Sequence, residues 1–196
     1  MRHVLVQSGK HEKRDPELWQ KAQVLKASPL FVGTTDSTPL VEKQAVFLAL
    51  IGLKPVSEAS SGHWVPRPGG RRSVYDDPAA VGALLDSLGL VCRLRHDEYA
   101  TDALVALWPG SLETYTTAAT EGDQQKLGEL FGYPATAATA FADGDDHLLP
   151  LAEQKRLERA VGGLPMLRFS RTHWREELQV VQRWQAVLGL YELLEP

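Results

Sequence analysis

The most constraining feature of this chain is a pattern of punctuation that occurs twice in its first half: a polar cap and a proline, a run of helical spacing, a glycine, then a short β-like run. In the first instance Thr38 and Pro39 open the segment Leu40 to Leu53, Gly52 closes it, and Lys54 to Glu58 reads as strand. In the second, Asp77 and Pro78 open a helix that Gly89 closes ahead of a strand over Leu90 to Arg95. Thr and Asp side chains accept bonds from the free N–H groups of a first turn, and the fixed φ of proline suits the first helical position. Glycine enters the left-handed conformation that ends a helix. A chain that alternates helix and strand in this way folds as helices layered on a sheet.

The same signals extend the reading to the rest of the chain. Asp15 to Ala27 has helical spacing with Pro16 in its first turn, and Leu30 to Gly33 reads as a short strand before the polar stretch Thr34 to Pro39. Asp102 to Trp108 is β-like and close enough to Leu90–Arg95 to form a hairpin. Ser111 to Arg159 is helical in character, broken by glycine, proline and aspartate into three or four helices. Leu164 to Phe169 predicts a strand, and Thr172 to Leu194 a long closing helix with a broad apolar stripe. The predicted fold is α/β in the mixed α+β sense: a small mixed sheet, with parallel and antiparallel pairings, covered by helices and followed by a mainly helical C-terminal half. One domain over residues 1–196 is expected, and a subdivision near residue 110, into 1–109 and 110–196, is the alternative.

Composition narrows the function classes. With 196 residues, 43% hydrophobic and 23% charged, the chain can bury a core without disulfides or a structural metal. A net charge of −4 disfavours general nucleic-acid binding. The single cysteine, Cys92, can form neither an internal disulfide nor a cysteine-rich zinc site, which fits a reducing, cytoplasmic setting. The N-terminus turns polar too soon for a secretory signal, and the longest apolar run, Ala45 to Leu53, is about half of the roughly 20 residues a membrane span needs. Four of the five tryptophans lie in or beside predicted elements, where core packing explains them; Trp64 is the exception.

Two segments stand out as candidate sites. Thr34, Thr35, Ser37 and Thr38 lie between a predicted strand and a predicted helix, where N–H groups and hydroxyls attract anions, although neither a phosphate-loop nor a dinucleotide pattern is present. Helix capping alone also explains them. The second segment, the polar stretch Ala59 to Ser73, is expected to be a long loop. It carries His63, Trp64, Arg67, Arg71 and Arg72, and between Lys54 and Ser73 four basic residues face the single acid Glu58. Guanidinium groups bind phosphate and carboxylate bidentately, and Trp64 offers a stacking face. The competing reading is an ordinary surface loop.

Other constellations fall short of a motif. Asp143-Gly144-Asp145-Asp146-His147 lacks the glycine and glutamate a calcium loop needs at its sixth and twelfth positions, which are Leu148 and Gln154. The histidines show no zinc spacing, no serine elbow is present, and Cys92 reads as a small hydrophobe in a strand. No metal and no cofactor is therefore expected. The sequence predicts a binding or regulatory protein for a small anionic ligand or an acidic partner, with no membrane and no nucleic acid among its partners. An enzyme acting on a phosphorylated or nucleotide-like small molecule is the alternative, with His63 or His96 moving protons. A structural, self-associating protein is the third reading, and oligomeric state is left open.

Overall fold

Asp15 accepts bonds from the N–H groups of Glu17 and Leu18, and so starts α1 at Pro16 (Pro16–Ala27). Asp77 does the same for α3 (Pro78–Ser87), where Pro78 again fills the first turn. Between them lie α2 (Val41–Leu50), β1 (Val56–Arg67) and β2 (Gly70–Tyr75). After α3 come β3 (Val91–His96), β4 (Thr101–Ala106), α4 (Pro109–Glu121), α5 (Gln124–Leu130), α6 (Ala135–Asp143), α7 (Leu151–Ala160) and α8 (Trp174–Leu190). This structure, a computed structural model, describes residues 14–31, 40–67, 70–96, 101–160 and 167–194, with the backbone alone for 63–67 and 70–75.

The four strands lie in the order β2-β1-β4-β3, and every pairing is antiparallel. The parallel pairings anticipated for a mixed sheet do not occur among the described strands. For β1–β2 and β3–β4 the joints are too brief for the crossover that parallel strands require, while β1 and β4, joined through a longer stretch of chain, also run antiparallel. β1 changes partner part way along: Val56 to Ser61 pair with β4, and Gly62 to Arg67 pair with β2. The result is a three-stranded sheet continued by a two-stranded ribbon.

The ribbon overturns the expected loop over Ala59–Ser73. Arg67 pairs with Gly70, which leaves only residues 68 and 69 between the strands. The predicted strand over Leu164–Phe169 is absent from its described part, residues 167–169, and the next residue, Ser170, makes an isolated bridge to Leu148. At Leu30–Gly33 the left-handed φ of Phe31, 58°, is incompatible with a regular strand, and residues 32 and 33 lie outside the described residues.

Alternation along β4 divides the core in two. Ala103 and Val105 pack with Val46, Leu48, Leu85, Trp184 and Leu188 on one face of the sheet. Leu104 and Ala106 belong to a smaller cluster with Val56, Leu112 and Leu130 on the other. From Lys43 to Leu50 α2 is buried on all sides, and α8 returns to it, so the helical C-terminal half completes the core of the first. Each leucine or phenylalanine enclosed there contributes about 1.5–3 kcal/mol. Trp108, expected in the core, is 67% exposed, because it precedes α4 at the point where the chain leaves the sheet. No helix among the described residues is long and apolar enough to cross a membrane.

Candidate functional site

The sequence candidates fall into two groups. Thr34, Thr35, Ser37 and Thr38 lie outside the described residues. His63, Trp64, Arg67, Arg71 and Arg72 all lie in the β1–β2 ribbon, where Pro66 is opposite Arg71 and Val65 opposite Arg72. Strand parity puts His63, Arg67 and Arg72 in one set of positions and Trp64 and Arg71 in the other.

At the base of the ribbon the structure assembles a hydrogen-bonded polar cluster. Ser61 Oγ donates to Asp76 at 2.5 Å and accepts from the Phe31 N–H at 3.0 Å. Thr101 Oγ1 donates to the Asp76 carbonyl at 2.8 Å and lies 2.9 Å from His96 Nδ1, so Nδ1 carries the proton of that contact. Beside them Ser60 donates through its N–H to Glu42 and through Oγ to Asp102, which also pairs with Arg95 at 2.7 Å. Burial pushes the Glu42 carboxyl above its ordinary range against the opposing Ser60 bond, and the carboxylates of Asp102 and Glu58 push the same way.

A different region carries the concave features. A cavity of about 550 Å³ opens between α5, α6, α7 and the segment at 167–168. Leu127, Phe131, Tyr133, Ala138, Phe141 and Leu167 form its apolar wall. Local chain geometry shapes that wall. A Cβ at Gly128 would lie 2.8 Å from the Ala138 Cβ, so only glycine lets α5 and α6 approach this closely. Gly132, at φ +79°, turns the chain out of α5 beneath the Leu53 carbonyl and sets Tyr133 in place.

The polar end of the cavity is organised by Gln154, which is 4% exposed. Its Nε2 donates to the Leu167 carbonyl at 2.5 Å and to Glu158 Oε1 at 2.9 Å, and its Oε1 accepts from the Phe169 N–H at 3.1 Å. Between those two clamped residues stands Arg168, whose Nε is buried with no acceptor. An unpaired buried donor costs about 1–3 kcal/mol.

Behind Tyr133 lies Lys54, 3% exposed, with its ammonium 5.9 Å from the Tyr133 ring and 5.0 Å from the Trp184 ring. Burial lowers its pKa to about 8 and raises that of Tyr133. On the other side of α6 a more polar cavity of about 420 Å³ is lined by Thr136, Thr139, His147, Arg171 and His173. Under it the buried carboxylate of Glu177 accepts from the Ser170 N–H, the Ser170 hydroxyl and Thr136 Oγ1, at 2.7, 2.6 and 2.8 Å. These bonds tie the 170–173 turn and α6 to α8, a structural task.

In the acidic segment Asp143 ends α6, and Asp145–His147 form a single 3-10 turn with the Asp145 side chain 93% exposed. Among the described residues no group of three or more His, Cys, Asp or Glu side chains is placed to hold a metal ion. Cys92 is half-buried, and burial together with Asp86 raises its thiol pKa. Sequence reasoning missed the 550 Å³ cavity; its faint signals are Gly128 inside a helical run and Arg168 between two apolar residues. No protein-family model matches the chain, and no curated protein or solved structure matches it either.

Proposed function

We propose that this protein binds a small molecule with an apolar body and a polar end, held in the cavity between α5, α6 and α7. The observation that carries this reading is the pairing of an apolar wall with Arg168, a lining residue whose Nε has no acceptor. About 550 Å³ lies within the 300–1,000 Å³ typical of such sites, which are mostly apolar with a few convergent polar groups. The reading keeps a small ligand with an acidic group but seats it away from the arginines of the ribbon. Fluorescence titration with 8-anilinonaphthalene-1-sulfonate tests it. Saturable one-to-one enhancement by the native protein, lost in Leu127→Trp and kept in a variant with Arg71 and Arg72 both changed to Gln, is the expected result. An equal response from Leu127→Trp sinks the proposal.

A second reading, an enzyme acting on a phosphorylated small molecule, is favoured by the polar cluster at the ribbon base. Phe31 and Glu42, which flank the stretch containing Thr34 to Thr38, are bonded to Ser61 and Ser60, next to His96. In this reading the up-shifted Glu42 carboxyl serves as proton donor. Hydrolysis of p-nitrophenyl phosphate that disappears in Glu42→Gln supports it, and activity unchanged by that substitution rejects the assignment.

A further inference from the structure

We infer that the ligand of the α5–α6–α7 cavity is a zwitterion with an apolar body, of which a hydrophobic α-amino acid is the simplest case; the inference rests on the cavity being a binding site. Its basis is the composition of the cavity's polar end, which brings together one cation and one anion. Gln154 joins them: one amide nitrogen is bonded to both the Glu158 carboxylate and the Leu167 carbonyl, and Leu167 is the neighbour of Arg168.

Both charged groups retain bonding capacity. Arg168 Nε is buried with no acceptor, and its Nη2 lies 3.9 Å from Asp145 Oδ1, beyond hydrogen-bonding distance. Asp145 is 93% exposed, so water screens that pair and leaves it little energy. Glu158 accepts from Gln154 through Oε1 alone, which leaves Oε2 for a donor.

Charge balance then selects the ligand class. A bare carboxylate entering this end would gain the Arg168 fork and meet repulsion from Glu158. A bare ammonium would gain Glu158 and meet repulsion from Arg168. A molecule with both groups on one carbon satisfies the two residues at once, while its side chain fills the wall of Phe131, Tyr133, Phe141 and Leu127.

Calorimetric titration of the full chain with L-phenylalanine, 3-phenylpropionate and 2-phenylethylamine separates the possibilities, since the three share a ring and differ in charge. The expected result is that L-phenylalanine binds about tenfold or more tightly than either singly charged compound. Arg168→Gln is expected to bring its affinity down to that of the amine, and Glu158→Gln to make 3-phenylpropionate its equal. If 3-phenylpropionate or the amine binds the native protein as tightly as L-phenylalanine, the zwitterion inference is wrong and the cavity reading stands. If none of the three binds while the anilinonaphthalene dye does, in a manner blocked by Leu127→Trp, the inference is overturned alone. If neither the three compounds nor the dye binds, the inference and the cavity reading fall together.

Discussion

Gln154 on α7 and Leu167 in the following segment are joined by a buried hydrogen bond of 2.5 Å, and the same side-chain amide accepts from the Phe169 N–H. One side chain thus substitutes for a strand partner along this segment and holds Arg168 in the lining of the cavity. Gln154→Leu keeps the volume but leaves both backbone groups unpaired. It is expected to cost about 2–4 kcal/mol, measured by urea unfolding, and to abolish dye binding under conditions where the protein is still folded.

Gly128 faces Ala138 where α5 crosses α6, with room for a hydrogen and not for a methyl group. Alanine is ordinarily favoured over glycine within a helix by about 1 kcal/mol. Here the 2.8 Å contact opposes that preference, so Gly128→Ala is expected to destabilise by about 1–2 kcal/mol. A rise in thermal stability would mean that the two helices are not in this contact.

Lys54 gives the protein a pH dependence of defined sign. Burial depresses its pKa from 10.5 to about 8, so between those values the unfolded chain holds a proton that the folded chain has released. Its contribution to stability therefore rises with pH across that window. Cys92 and Tyr133, both raised by burial, act oppositely above their ordinary values of 9.0 and 10.0. Comparison with Lys54→Met isolates the lysine. The variant is expected to be more stable at pH 7 by about 1–2 kcal/mol, the burial cost less the lost cation–π attraction, and to lose most of that advantage by pH 10. A constant difference across this range would contradict the assignment.

Glu177 is 1% exposed and accepts three hydrogen bonds, two of them from Ser170. Glu177→Ala leaves those donors without acceptors and is expected to cost about 3 kcal/mol, read as a lower urea midpoint. Glu177→Gln retains one acceptor oxygen and should fall between. Equal stability of the two variants would show that the bonds contribute nothing.

The starts of α1 and α3 were legible because Asp15 with Pro16, and Asp77 with Pro78, are local signals whose geometry is decided within one turn, whereas α2 begins at Val41 behind Leu40, not at the Thr38–Pro39 signal. The β3–β4 hairpin and the closing helix were legible for the same reason, through short separation and sustained periodicity. The β1–β2 ribbon was not, because arginine, glycine and proline hide the alternation expected of a strand, even though Pro68-Gly69 is a turn signal. All-antiparallel pairing depends on which strands become neighbours, a long-range outcome. The cavity was illegible because Leu127, Ala138, Gln154 and Arg168 come from four separate segments and no periodicity relates them. The ribbon arginines were visible through charge density alone, which reports composition and not concavity.

The most direct measurement is a two-dimensional ¹H–¹⁵N NMR titration of the full chain with 8-anilinonaphthalene-1-sulfonate, following each backbone amide. The account predicts saturable shifts at Leu127, Gly128, Phe131, Ala138, Phe141 and Arg168, which surround the cavity, with Arg67, Arg71 and Arg72 unmoved. Shifts confined to the ribbon arginines, or no saturable shifts at all, would contradict it.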